Sequence, residues 1–172
     1  MKIGINCGHT FKGVGSGAQS LFNESKWTRI IGYHLMSELI LKQCEVIDCT
    51  VHEAKSQEEY LRKCVETANK AKCDILISIH FNKANSQAKG SEVWTYNGKV
   101  DSMTSKILAA TSRLGFRKRG VKNGSNLYVV KNSNMPCYLL ELCFCDNEDD
   151  TSILRSVGGA RVGKVLADFI CQ

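Results

Sequence analysis

Two histidines and one glutamate stand where secondary-structure elements of this 172-residue chain are predicted to begin or end. His9 follows a short apolar stretch, Glu24 opens the first predicted helix, and His80 ends the β-branched run at 74–79. Two imidazoles and one carboxylate form a ligand set for a catalytic Zn²⁺ that leaves a fourth position for water. The three residues are dispersed along the chain, so their spacing alone does not exclude a satisfied core histidine at His80.

Glu141 is a carboxylate of a different kind, because it lies inside the apolar stretch Tyr138–Phe144. A carboxylate in such a strand is costly unless it is paired or protonated. Burial raises a carboxyl pKa, and a raised pKa suits a general base that takes a proton from an attacking water. The alternative is a structural ion pair between Glu141 and a lysine or arginine.

Strand and helix signals alternate along the chain, which is typical of an α/β fold with a mainly parallel sheet. We predict strands at 2–7, 44–49, 74–80, 91–96, 127–131 and 137–144. Helices are predicted after the N-cap Asn23, after the capping box Ser56/Glu59, across 100–114, and near the C-terminus. We therefore expect a single domain, a twisted, mostly parallel (mixed) sheet of about six strands flanked by helices. In such sheets ligands bind at the carboxyl ends of the strands, where His9 and His80 are expected.

The strand at 91–96 alternates in polarity and is predicted to be half-exposed, at or near a sheet edge. A basic cluster, Arg117–Arg119 with Lys122, is expected in the loop that leads to the strand at 127–131. The formal net charge of +6 raises the encounter rate with anionic polymers such as nucleic acid or an acidic cell wall. Without an aromatic-interleaved basic patch or zinc-finger spacing, we expect no nucleic-acid partner.

Nine cysteines, an odd number without any Cys-x-x-Cys pair, indicate reduced and mostly buried thiols. Cys143 and Cys145 would share one face of a strand and offer a second possible metal site. No apolar run is long enough for a membrane span, and Met1–Asn6 predicts a strand instead of a signal peptide. We therefore expect synthesis in the cytoplasm without an export signal and no membrane insertion.

Seven segments resemble, in order and spacing, the zinc-dependent N-acetylmuramoyl-L-alanine amidases (amidase-3 type) that cleave bacterial peptidoglycan. They are Ile5–Thr10, Asn23-Glu24, Ser78–Asn82, Gly90–Val93, Arg119–Lys122, Leu127–Val130, and Pro136–Phe144 with Asn147. The resemblance covers almost the whole chain and implies one catalytic domain at 1–172 that acts on peptidoglycan; we expect it to be a monomer. It implies that His9, Glu24 and His80 bind Zn²⁺ and that Glu141 is the catalytic carboxylate.

Three positions depart from the usual pattern of that family. Phe81 stands where a small residue commonly follows the histidine, and Cys143 and Cys145 flank Phe144 where small or aliphatic residues are more usual. These departures affect the expected groove shape and not the metal set. Compact members of this kind resemble the catalytic part of phage or prophage endolysins, which implies release to the wall with the help of a holin.

Three other functions remain open from the residues themselves. A zinc peptidase or carboxypeptidase acting on stem peptides would use the same kind of site. A nucleotide-binding domain is suggested by Gly13–Ala18, which matches Gly-x-Gly-x-x-Ala, and by Asp48 at the end of the second strand. The glycines begin several residues beyond the first strand, which favours a flexible loop. A non-catalytic wall-binding module would keep a groove but would not need Glu141.

Overall fold

The computed structural model describes residues 1–172 and contains six strands and six α-helices. In chain order they are β1 (Lys2–Cys7), α1 (Glu24–Leu41), β2 (Glu45–Asp48), α2 (Gln57–Ala71), β3 (Ile75–Asn82), β4 (Ser91–Thr95), α3 (Ser102–Arg113), β5 (Lys118–Asn123), α4 (Tyr128–Asn132), β6 (Cys137–Phe144), α5 (Glu148–Val157) and α6 (Gly159–Ile170). A 3₁₀ turn, Tyr96–Gly98, follows β4. None of the helices combines the length and apolar character that crossing a membrane requires.

The strands form one sheet in the order β2-β1-β3-β6-β4-β5. Every neighbouring pair is parallel except β4 and β6, which run antiparallel. The predicted mixed, mostly parallel sheet is thus confirmed. β3 and β6 lie at its centre and are buried on both faces, which explains their nearly continuous apolar sequences.

Helices cover both faces of the sheet and divide the core into two parts. The larger part lies under α1, α3 and α6 and includes Ile5, Leu35, Ile79, Leu140 and Leu166. The smaller part lies under α2 and α4 and includes Tyr60, Cys64, Leu76, Val129 and Leu139. Side chains alternate across a strand, so His80 and Glu141 share the α2/α4 face with Leu76 and Leu139.

Two predicted helix starts, at Asn23 and at Ser56, are confirmed, but the capping box predicted for Ser56 and Glu59 is only half formed. The Asn23 side chain accepts a hydrogen bond of 2.8 Å from the Lys26 N–H, which places Glu24 in the first turn of α1. Ser56 likewise accepts from the Glu59 N–H at 3.1 Å. The Glu59 carboxylate, however, accepts from the Lys55 N–H at 2.6 Å, so the reciprocal bond is made one residue before the N-cap.

The predicted strand at 127–131 is wrong, because Tyr128–Asn132 forms α4. Its valines have high strand propensity, but one helical turn buries Val129 and Val130 in the smaller core, and this packing outweighs the propensity.

The predicted basic loop is also wrong, because Lys118–Asn123 is the edge strand β5. Charged side chains are common on edge strands, where one side remains hydrated and further pairing is discouraged. β5 covers β4, which is therefore next to the edge, as predicted, but mostly buried instead of half-exposed.

Candidate active site

His9, Glu24 and His80 meet at the carboxyl ends of β1 and β3. His9 Nε2 lies 3.1 Å from Glu24 Oε1 and 3.2 Å from His80 Nδ1, and the third side, from His80 Nδ1 to Glu24 Oε1, is 3.4 Å. Two ligand atoms about 2.0 to 2.1 Å from a tetrahedral Zn²⁺ lie about 3.3 to 3.4 Å apart. The three residues therefore fit a divalent cation of this size, whose charge would offset the repulsion of three converging lone-pair donors.

The glycine-rich loop after β1 orients His9. The ring Nδ1–H donates to the Gly15 carbonyl at 3.0 Å, which leaves the Nε2 lone pair facing Glu24 and His80. A Cβ on Gly17 would lie 2.7 Å from His9 Cγ, so only glycine allows the loop to pack this closely. The loop that resembles a nucleotide-binding motif thus packs on the side chain of His9.

Two side chains bind the backbone of His9, which has a left-handed conformation with φ of 68°. Its N–H donates to Tyr60 Oη at 2.6 Å, and its carbonyl accepts from Arg29 at 3.0 Å. A positive φ is uncommon for histidine and strains the backbone. Such strain persists where the surrounding contacts enforce it, as the Tyr60 and Arg29 hydrogen bonds do here.

Glu24 is buried and is bound from both sides of its carboxylate. Oε2 accepts from the Ala18 N–H at 2.7 Å and Oε1 from the Phe81 N–H at 3.0 Å. Burial by itself raises the pKa of Glu24, but hydrogen bonds and charge attraction from His80 and His9 outweigh it and hold the pKa well below the ordinary value. The carboxylate is therefore ionised at neutral pH, as a metal ligand must be.

His80 lies against Gly8 on the neighbouring strand end, where a Cβ would be only 2.5 Å from the ring Cε1. Burial lowers the pKa of His80 below its ordinary value, which keeps the imidazole neutral and able to donate a lone pair. Its Nδ1 faces His9 Nε2 and Glu24 Oε1. This environment favours a site residue over the alternative of a satisfied core histidine.

Glu141 is the neighbour of His80 across the β3–β6 pair. It has no ion-pair partner, and its enclosed Oε2 has no hydrogen-bond partner. Burial, with smaller contributions from the charges of Glu24 and Glu92, raises the pKa of Glu141 to about 8. The alternative of a structural ion pair is therefore wrong, because the buried carboxyl group of Glu141 has no cationic partner.

The four side chains line one groove of about 510 Å³. Trp94, Leu139, residues of α2 and the segment 126–129 also line the groove. A cavity of about 560 Å³ lies elsewhere, between the end of β4 and the start of β6, and contains none of the four side chains. The groove is therefore the candidate active site, because all four side chains lie in it.

A buried ion pair beside Glu141 has no counterpart among the sequence-based expectations. Glu92, opposite Glu141 on β4, accepts from Arg119 Nε at 2.8 Å and from Asn82 Nδ2 at 2.9 Å. A bulge between β4 and β5 leaves Arg119 outside the regular pairing, and its guanidinium lies 4.9 Å from the centroid of the Phe144 ring. The sequence shows Glu92 as an acidic residue in a predicted strand. Its partner Arg119 lies in β5, which the sequence predicts as a loop.

The three departures from the family pattern lie beside the site and contribute no metal donors. Phe81 is buried with its ring 4.8 Å from that of Phe22, and its N–H binds Glu24. Cys143 and Cys145 are buried, and burial raises the pKa of Cys145 to about 11 and that of Cys143 well above its ordinary value. The metal-capable cluster includes neither thiol, so their possible second metal site is not supported.

One known protein family matches almost the whole chain. Residues 3–172 match the family model described as N-acetylmuramoyl-L-alanine amidase. A protein of Clostridium perfringens, CPE1502, is 33% identical over 176 residues, covering 99% of this chain and 51% of that protein. The chain thus spans about half the length of the curated relatives it matches.

Solved structures share the complete fold. The catalytic domain of the CD27L endolysin targeting Clostridia difficile has a TM-score of 0.86 at 25% identity, over 99% of this chain and 96% of that one. The catalytic domain of CwlV, an N-acetylmuramoyl-L-alanine amidase from Bacillus (Paenibacillus) polymyxa, has a TM-score of 0.81 at 25% identity, over 98% and 95%.

Proposed function

This chain belongs to the N-acetylmuramoyl-L-alanine amidase family, and we propose that residues 1–172 form a catalytic domain that hydrolyses the amide bond between N-acetylmuramic acid and L-alanine in peptidoglycan. Support comes above all from three donor atoms 3.1 to 3.4 Å apart, with an unpaired carboxylate on the adjoining strand. Together they form the donor set and base of a metal-assisted hydrolase.

Zn²⁺ is the proposed metal, held by His9 Nε2, Glu24 Oε1 and His80 Nδ1. When bound, it supplies Lewis-acid activation of the amide carbonyl and of a water molecule. Gly15 fixes the His9 tautomer, and the N–H groups of Ala18 and Phe81 fix the Glu24 carboxylate. These contacts hold two of the three donors, His9 and Glu24, in place.

Glu141 is the proposed general base and then the general acid. Its carboxylate takes a proton from the water that attacks the lactyl carbonyl, and it returns that proton to the L-alanine nitrogen as the C–N bond breaks. The raised pKa belongs to the metal-free chain, and a divalent cation beside the carboxylate favours its ionised form. The products are a carboxylate on the muramic acid and a stem peptide with a free amino terminus.

Metal analysis tests the cofactor, and product analysis tests the bond that is cleaved. We expect purified protein to contain about one zinc per chain, to lose lysis of purified cell walls on chelation, and to recover it with added zinc. Stem peptides with a new L-alanine amino terminus identify the amidase. Single amino acids released from the stem would identify the carboxypeptidase alternative, and chelator-indifferent lysis would contradict the metal mechanism.

Substitution of Glu141 by Gln separates proton transfer from metal binding. The variant should bind zinc like the parent and lyse walls at least about 100-fold more slowly, because the amide cannot accept the proton. His80→Ala should lose zinc as well as lysis. Glu53→Gln, at an exposed glutamate, is the matched control and should behave like the parent. Near-parental lysis by Glu141→Gln would refute the role of Glu141.

A further inference from the structure

Two of the nine cysteine thiols reach solvent, and these two are in contact. Cys171 is exposed and Cys44 is half-buried, whereas the other seven cysteines are buried. The Sγ atoms of Cys44 and Cys171 lie 3.5 Å apart, although 127 positions separate the two residues in sequence. Neither thiol lines the groove.

The backbone around each thiol is fixed by hydrogen bonds. Cys44 precedes β2, and its N–H donates to the Leu39 carbonyl at 3.0 Å. Cys171 follows α6, and its N–H donates to the Ala167 carbonyl at 3.1 Å. The Lys42–Asp168 ion pair, at 2.7 Å, joins the same two chain segments. The two thiols are therefore held together by the fold around them.

We propose that Cys44 and Cys171 are an oxidisable pair that closes to a disulfide between the start of β2 and the end of α6. A disulfide requires the sulfurs at about 2.05 Å, so side-chain rotation must bring them about 1.5 Å closer. The pair is independent of the proposed function, because it lies outside the groove and uses none of its residues.

Oxidised glutathione, a small-molecule disulfide, supplies the oxidant for this step. The Cys171 thiol loses its proton and attacks one glutathione sulfur, which breaks the glutathione disulfide and releases one reduced glutathione. The Cys44 thiol then loses its proton and attacks Cys171 Sγ, forming the protein disulfide and releasing the second glutathione. Two protein thiols are oxidised, and one glutathione disulfide is reduced to two thiols.

The environment of Cys171 sets the conditions for the reaction. Burial and the Cys44 thiol raise the pKa of Cys171 to about 11, against the attraction of Lys42 and Lys106. The reactive thiolate is therefore scarce at neutral pH, and the exchange is best followed at about pH 8.5 over hours. Once formed, the link closes most of the chain into one loop and restricts the unfolded state.

The test incubates the full chain with oxidised glutathione and compares it with the reduced chain. We expect the intact mass to fall by about 2 Da for the two hydrogens lost, and a Cys44–Cys171 peptide to appear in a non-reducing digest. The midpoint of thermal unfolding should rise on the order of 10 °C and return on reduction. Wall lysis at room temperature should be equal in the two forms.

Cys44→Ser and Cys171→Ser are the matched controls, and each should fold like the reduced parent because neither side chain is fully buried. Neither should show the internal link or the rise in unfolding temperature. A stable glutathione adduct in Cys44→Ser would mark Cys171 as the attacking thiol. An unchanged mass in the parent, a link between other cysteines, a Cys171-linked dimer, or an equal temperature rise in Cys44→Ser would overturn the proposal.

Discussion

At the residue scale, two buried glutamates near the proposed metal differ in what surrounds them. Glu24 is bound by two backbone N–H groups and faces two imidazoles, so its charge is stabilised. Glu141 has no such partner, and two other carboxylates raise its pKa further. Pairs of carboxyl groups whose environments separate their pKa values commonly divide ligand and proton-transfer roles.

The raised pKa of Glu141 predicts a pH-dependent cost to stability in the metal-free chain. A folded pKa of about 8 against an ordinary 4.5 means that the unfolded chain loses the Glu141 proton first as pH rises. This residue therefore lowers the free energy of unfolding progressively between those two values, by a few kcal/mol in all. Burial of the ionised carboxylate is the physical cause.

Urea unfolding of the chelated chain at several pH values measures this effect. The parent should lose stability relative to Glu141→Gln as pH rises from about 4.5 to 8, and the difference should level off above that range. Glu53→Gln serves again as the exposed control. If the parent and Glu141→Gln changed in parallel across this range, the carboxyl would not have the assigned pKa.

The sequence singled out four residues that the structure brings together in one groove, but not their surroundings. His9, Glu24 and His80 each lie at an element end, and Glu141 interrupts an apolar strand, so local patterns identified them. The contacts of Gly15 and Ala18 with the site depend on how the loop folds back. Local patterns carry no such information, and the same loop also matched a nucleotide-binding motif.

At the element scale, the two errors in the fold were neighbours in the sequence. β1 and the long helices α1 and α2 have clear periodicity, and β3 and β6 are nearly continuous apolar runs, so all five were predicted. β5 is polar and α4 has only five residues, so in each case tertiary contacts decide the structure. Missing β5 also concealed the Glu92–Arg119 pair, because its two residues meet only when β4 and β5 are aligned.

Arg119→Met is predicted to destabilise the protein by about 2 kcal/mol. Glu92 would remain almost fully buried without its cation, whereas about a third of the Arg119 side chain is exposed, which limits the loss. Thermal unfolding should show a midpoint several degrees lower. Zinc content should be unchanged, since neither residue belongs to the metal cluster.

Two further variants separate loss of the pair from loss of surface charge. Lys118→Met removes an exposed cation from the neighbouring position and should leave the midpoint unchanged. Adding Glu92→Gln to Arg119→Met should recover most of the lost stability, because no buried charge remains uncompensated. Equal destabilisation by Arg119→Met and Lys118→Met would argue against a role for the buried pair.

At the scale of the whole molecule, family membership and fold agree with the resemblance found in the sequence, which is thereby confirmed. The net charge of +6 is a property of the whole chain and not of the groove. A positive protein approaches an anionic polymer faster at low salt, because the Debye length falls from about 30 Å at 0.01 M to about 8 Å at 0.15 M.

Lysis of intact walls is therefore predicted to slow severalfold as salt rises across that range. Hydrolysis of a small soluble muropeptide without anionic wall polymer is the control and should change little, since it depends on the groove. Turbidity of wall suspensions and chromatography of the muropeptide measure the two rates. Equal salt dependence of the two reactions would place the effect in the groove and not in the approach to the wall.

The alignment of β3 with β6 has a further consequence for how faithfully the chain folds. Both strands are apolar on both faces, so hydrophobicity alone penalises a one-residue slip only weakly. A slip would turn the Glu141 carboxylate into the apolar core under α1 and bring a leucine into the groove. Burying this carboxyl group without a polar partner is costly, which opposes the misaligned pairing, so the residue proposed to transfer protons also helps to fix the alignment of β3 with β6.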